Sequence, residues 1–307
     1  MNKENPALRV SEICKTFGSF SAVSSLSFEV FAGRIFGFLG PNGAGKTTTI
    51  RMIVGITAPD TGTIEFYGER ISGAVQNRIG YLPEERGLYK KMKIVDQLRY
   101  FAALKGVGYR EAEKRIDFWL DRMMLSEWKQ KKTSDLSKGM QQKIQFISTV
   151  LHDPDLLILD EPFSGLDPIN VEFLMEVISE FKTRDKTIIF STHLMETAEK
   201  LCTDILLINK SRKVLAGSIR EIKQSHGANL IALRATNVNG VINDKTLVER
   251  VLEHADERIL YPAAGVNAQQ ILLRLIESGS EIEKFEKIEP SLNDIFLDNV
   301  KPQESGQ

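Results

Sequence analysis

Two stretches of this sequence are suited to holding phosphate. The first is GPNGAGKTT, residues 40–48, in which Gly40, Gly45, Lys46 and Thr47 satisfy the pattern G-x-x-x-x-G-K-[ST]. Glycines let successive backbone N–H groups converge on an anion, and Lys46 reaches the outer phosphates of a nucleotide. The Thr47 hydroxyl offers a hard oxygen to Mg²⁺. The predicted nucleotide set is Gly40, Pro41, Asn42, Gly43, Ala44, Gly45, Lys46, Thr47 and Thr48. The second stretch is LSKGMQQK, residues 136–143. Ser137 stands where a helix cap stands, Gly139 admits a ligand to the backbone, and QQKIQFISTVL continues as helix. A helix N-terminus carries unpaired N–H groups and partial positive charge, both of which favour phosphate.

Two further motifs bring acid–base groups. LLILDEP, residues 156–162, is a short apolar run ending in two carboxylates. A buried parallel strand delivers such groups at its C-terminal edge, where these sheets bind ligands. Asp160 is expected to orient Mg²⁺ through water, and Glu161 to face the terminal phosphate and polarise an attacking water. STH, residues 191–193, ends the next predicted strand and sets His193 at the same edge, in reach of a phosphate oxygen. Alone, an Asp-Glu pair reads as solvated surface and a single histidine as structural. Following a phosphate loop, both read as chemistry.

These groups need elements to position them. LRVSEICKTF and LSFEVFAGRIFGFLG read as strands, the second running into the glycine-rich loop, and TTTIRMIVG as the helix after it, closed at Gly55. From about 88 to 150 the pattern is helical. Val95, Leu98, Phe101, Ala102 and Leu104 recur at helix spacing, as do Ile116, Trp119, Leu120 and Met123, and both stripes read as core. Strand and helix then alternate through LLILDEP, TIIFSTH and ILLINK, which predicts a parallel sheet covered on its faces. The expected division is 1–215 and 216–307. The second part holds a strand at NLIALRAT, a helix at QQILLRLIES, a strand at EIEKFEKI and a helix capped by Ser291. Its apolar positions Ile231, Leu233, Ile271, Leu272, Leu275, Phe285, Ile295 and Phe296 predict a small core, and self-association, regulation and ligand binding compete as its role. The last six residues, PQESGQ, are expected to be disordered.

Composition excludes several classes. Lys+Arg at 40 against Asp+Glu at 41 leaves a net charge of −1, so no global field draws the chain to nucleic acid. Two cysteines, Cys14 and Cys202, make no disulfide framework or thiolate metal site, and the four histidines show no ligand spacing. The N-terminus lacks a signal peptide, and no run approaches the roughly 18 apolar residues that cross a bilayer. A cytosolic chain is expected.

Taken in order, these motifs resemble the ATP-binding subunit of an ABC transporter. Phe17 stands in the aromatic loop that stacks adenine, YLPEERGLY at the Q-loop, LSKGM at the signature, SGLD (164–167) at the D-loop and STH at the switch histidine. The tail ending in SLNDIFLDNV resembles the C-terminal module of ATPases serving ABC-2-type exporters, including the sodium-export and drug-resistance groups. The resemblance implies an α/β P-loop ABC ATPase core with a β-rich N-terminal part, a helical insert and a small α/β C-terminal module. It implies ATP and Mg²⁺, with metal ligands at Thr47, Asp160 and Glu84, and catalysis by Glu161, His193 and Lys46. It also implies that ATP is shared between the P-loop of one subunit and Ser137 and Gly139 of another, beside Asp167. Partners would be an identical or paralogous ATPase and an integral membrane permease, placing the chain at the inner face of the cell membrane, with no nucleic acid. The helical insert with EERGLYKKMK would dock the permease. The sequence departs from the family twice: LSKGM replaces LSGGQ, and Glu84 stands where glutamine is usual. The alternative is a non-transport ABC ATPase acting on nucleic acid or ribosomes, although tandem cassettes, coiled-coil insertions and zinc cysteines are absent. A ligand-sensing tail is a third reading.

Overall fold

A computed structural model describes residues 6–85, 87–183, 185–226, 230–254 and 256–300. The six C-terminal residues expected to be disordered lie outside that set. The chain divides into two compact units, Met1–Gly217 and Ser218–Gln307.

The first unit opens with a long antiparallel hairpin, β1 (Pro6–Phe17) and β2 (Phe20–Phe31), followed by β3 (Ile35–Leu39) and α1 (Lys46–Ile53). Next come β4 (Thr61–Phe66) and β5 (Glu69–Arg70), joined at Tyr67 and Gly68, which have φ of 48° and 80°. Both central turn residues being left-handed is what a tight hairpin requires. Then follow α2 (Gly73–Gln76), β6 (Ile79–Leu82), α3 (Ile94–Leu104), α4 (Tyr109–Arg122), α5 (Lys138–Val150), β7 (Leu156–Asp160), α6 (Pro168–Thr183), β8 (Thr187–Thr192), α7 (Met195–Leu201), β9 (Asp204–Asn209) and β10 (Arg212–Ser218). Two sheets result, ordered β2-β1-β4-β5 and β10-β9-β3-β8-β7-β6. In the second, β9, β3, β8, β7 and β6 run parallel. Every residue of β3, β7 and β8 is buried, which explains their near-continuous apolar sequences.

The helical segment follows its stripes, with one exception. Val95, Leu98 and Ala102 are buried, whereas Leu104, expected inward, is 61% exposed. Two residues past Ala102 lie about 200° further around a helix, so Leu104 leaves the stripe that its neighbours form. Ile116, Trp119, Leu120 and Met123 are all buried. The Trp119 ring lies 5.7 Å from Phe181 of α6 with 2° between planes, and Phe146 of α5 meets both rings edge-on. That aromatic cluster binds α4, α5 and α6 together as core.

The second unit contains α8 (Ile219–Ser225), β11 (Leu230–Ala235), α9 (Asn239–Ile242), β12 (Val248–His254), β13 (Glu257–Pro262), α10 (Ala268–Glu277), β14 (Ile282–Ile288) and α11 (Leu292–Val300). Its sheet is antiparallel, in the order β12-β13-β11-β14. Ile231, Leu233, Val248, Leu260, Ile271 and Leu275 form the core beneath it. Ser291 caps α11 by accepting from the Asp294 N–H at 3.1 Å. The β12–β13 hairpin was not anticipated.

Candidate nucleotide site

The phosphate loop joins the buried strand β3 to α1, and its glycines have separable causes. A Cβ on Gly40 would stand 2.2 Å from the Ile208 carbonyl oxygen, and one on Gly45 2.4 Å from that of Ala22. Packing within the chain demands those two glycines. Gly43 has open space around it and φ of 78°, so backbone conformation alone requires it. Lys46 is only 6% exposed and donates to the carbonyls of Gly40 at 2.7 Å and Pro41 at 3.2 Å. Burial holds its pKa below the ordinary lysine value, against the opposing pull of Glu161, Asp160 and Glu84.

Asp160 ends β7, opposite Ser191 on β8, and Glu161 follows directly. The Ser191 hydroxyl donates to Asp160 Oδ1. Glu161 N–H points at Ser191 too, 3.2 Å from its carbonyl and 3.3 Å from its hydroxyl. This hold keeps Glu161 at φ of 48°, a left-handed conformation costly for a side chain of its size. The reward is direction: Glu161 Oε1 lies 2.9 Å from His193 Nδ1 and 4.0 Å from Lys46 Nζ. The carboxylate can only accept, so Nδ1 carries the proton of that bond. Thr192 adds a longer contact to Oε2 at 3.4 Å.

Asp160 is fully buried, and burial pushes its pKa up. Its Oδ2 is buried with no hydrogen-bond partner, and the nearby Thr47 hydroxyl opposes the upward shift. An orphaned carboxylate oxygen beside a hydroxyl, at a phosphate loop, suits a Mg²⁺ ion. Among the described residues no three His, Cys, Asp or Glu side chains form a metal cage. Mg²⁺ in phosphate sites rarely uses one, because phosphates and waters supply most ligands.

A cavity of about 400 Å³ opens over the loop. Of the expected residues, Asn42, Gly43, Gly45, Lys46, Thr47, Thr48, Glu84 and Glu161 line it. Phe17 does not; Phe20 and Ala22 do. The two phenylalanines pair across the β1–β2 turn, but β2 is the strand that borders the loop, as the Gly45–Ala22 approach shows. Phe17 instead lies beneath Lys15, 5.7 Å from its ammonium. Phe20 was missed because it follows Phe17 by one turn and only Phe17 sits at the family's aromatic position.

Ser137, Gly139 and Asp167 are not among the residues lining this cavity. Ser137 is exposed and caps α5, accepting from Met140 N–H at 3.3 Å. A Cβ on Gly139 would meet only Leu166 at 3.5 Å, an ordinary contact, so packing in this chain does not require glycine there. Asp167 caps α6, accepting from the Asn170 N–H at 3.1 Å, and hydrogen bonds from Asn170 hold its pKa low. Two buried glutamines of α5 were also missed. Gln142 donates to Pro162 O at 3.0 Å, and Gln145 donates to Pro83 O and Glu85 O at 3.1 Å each. One helix therefore grips the backbone on both sides of Glu84 and just beyond Glu161.

The family described as "ABC transporter" matches residues 23–164, and "ATP-binding protein DrrA1-3-like, C-terminal domain" matches residues 217–300. The ABC transporter ATP-binding protein YhaQ of Bacillus subtilis (strain 168) is 44% identical over 293 residues, covering 95% of this chain and 98% of that protein. The Nod factor export ATP-binding protein I of Paraburkholderia xenovorans (strain LB400) is 33% identical over 303 residues, covering 90% of this chain and 98% of its own. A solved structure titled "Structure of ATP binding subunit of ABC transporter" aligns with a TM-score of 0.67 at 31% identity, covering 72% of this chain and 93% of that one.

Proposed function

The chain belongs to the ATP-binding proteins of ABC transporters, a family of ATPases coupled to transport, and from that premise we propose that it dimerises around two MgATP and powers export through a separate ABC-2-type permease. The export direction is carried over from relatives named for Nod factor export and from the DrrA-like C-terminal match. One observation carries the shared site. The phosphate loop faces a cavity lined by its own β2 and Glu161, while the helix N-terminus at Ser137 is exposed and lines none of it. Each chain thus offers half of two sites. Among the described residues no helix is long and apolar enough to cross a membrane. In this reading the permease is a separate subunit and the chain is peripheral to the inner face.

Thr47, Asp160 and Glu84 would hold Mg²⁺, which when bound would offset phosphate charge. Lys46 would exchange the Gly40 and Pro41 carbonyls for phosphate oxygens. His193 would donate to the terminal phosphate in place of Glu161, leaving the carboxylate to orient water in line with the phosphorus. Ser137, Gly139 and Asp167 of a second copy would close the site.

The test mixes two inactive chains. Lys46→Ala removes the phosphate contact and Ser137→Arg blocks the helix N-terminus. A dimer of one each has a site with both faults and a site with neither. Mixing is predicted to restore hydrolysis that neither variant shows alone; a mixture as inactive as its parts would contradict shared sites.

A further inference from the structure

Strand β14 is the last strand of the second unit's sheet. One edge is bonded to β11, and among the described residues no strand lies beside its other edge. Its sequence is Ile282-Glu283-Lys284-Phe285-Glu286-Lys287-Ile288. Reversed about Phe285, that sequence sets isoleucine on isoleucine, glutamate on lysine and phenylalanine on phenylalanine. We propose that the free edge of β14 pairs antiparallel with the β14 of a second copy, centred on Phe285, joining two sheets across a two-fold axis.

Charge selects the register. A two-fold axis perpendicular to the sheet keeps both copies' cores on the same side, and it makes one residue face its own copy. Centring on Glu283, Lys284, Glu286 or Lys287 sets a charge against an identical charge. Phe285 is the one centre among these five that does not. It places Lys284 opposite Glu286 of the second copy and Glu283 opposite its Lys287, each twice by symmetry. Opposite charges across strands stabilise pairing, and like charges oppose it.

The local structure agrees. Register with β11 is regular from Ile288 to Lys284, the stretch that carries Phe285 and the Lys284 and Glu286 pairs; Ile282 then faces Ala235, so Glu283 is the extra residue of a bulge. Phe285 and, past the bulge, Ile282 both pack partly against the unit's core, which sets the core-facing side of the strand on each side of Glu283. Lys284 is held by Glu257 of β13 at 3.0 Å and by Glu286 at 3.2 Å. Glu283 and Lys287 are exposed, and among the described residues neither has an ion-pair partner. Charged residues commonly guard an edge strand against association. A guard of one sign repels a second copy in every register, whereas these alternating signs leave one register free of repulsion.

The contact lies outside the nucleotide site, so it stands or falls apart from the reading above. It is tested by sedimentation equilibrium of the full chain without nucleotide. One strand pair is a small interface, so the wild-type chain is expected to self-associate at roughly 10–100 μM. Glu283→Lys and Lys287→Glu each spoil two symmetry-related pairs and should each weaken association about tenfold. An equimolar mixture of the two variants, and the double variant, restore complementary charges and should regain wild-type association. A monomeric wild type at 100 μM (roughly the upper bound above), single variants that associate like the wild type, or a mixture that stays as weak as its parts would each overturn the proposal.

Discussion

At the scale of single residues, the site rests on how few atoms hold Glu161. Its left-handed backbone is pinned by Ser191, and its carboxylate points between His193 and Lys46. The same scale decides the base. Because Phe20 and not Phe17 lines the cavity, Phe20→Ala should weaken ATP binding roughly tenfold, the low end of the ~1–3 kcal/mol of a base–aromatic stack. Phe17→Ala should cost less. Titration with a fluorescent ATP analogue ranks the two, and a larger loss in Phe17→Ala would return the base to the family's aromatic position. Motif spacing made the phosphate loop and both strand-end carboxylates legible in the sequence. It could not show Ser191, whose partners come from the neighbouring strand, nor that Gly40 and Gly45 answer to Ile208 and Ala22.

At the scale of elements, α5 braces the backbone around the cavity. Its N-terminus carries Ser137, and Gln142 and Gln145 grip the backbone near Glu161 and Glu84. Just past its end, His152 Nε2 faces the Ile79 carbonyl at 3.2 Å, so Nε2 carries the proton. Nδ1 is then an acceptor buried without a partner. Burial lowers this imidazole from 6.5 to about 4. In that window the unfolded chain binds the proton and the folded chain does not, so stability rises with pH. The contribution is intact above about 6.5 and lost progressively toward pH 4. Urea unfolding at pH 7 and pH 5 should show the wild type losing more stability than His152→Gln; equal losses would mean that another group titrates. Elements with one clean period were readable from sequence, as in β7, β8 and α4. The β12–β13 hairpin was not, because charges interrupt VERVLEH and ERILYP and no glycine marks the turn. Leu104 matched a helical spacing yet faces out, because local periodicity does not fix where a stripe ends.

At the scale of the whole molecule, a phosphate loop and an exposed signature helix in one chain make sense as halves of two shared sites. The central claim is that MgATP holds two copies together. Its most direct measurement is sedimentation of Glu161→Gln, which keeps the phosphate contacts and removes the carboxylate that would orient water. Adding Lys287→Glu in the same chain weakens pairing through β14, and a comparison with and without nucleotide isolates the dimer that MgATP holds. Dimers should form with MgATP and vanish when ATP is replaced by ADP. A chain that binds MgATP in full and still sediments as a monomer would contradict the account.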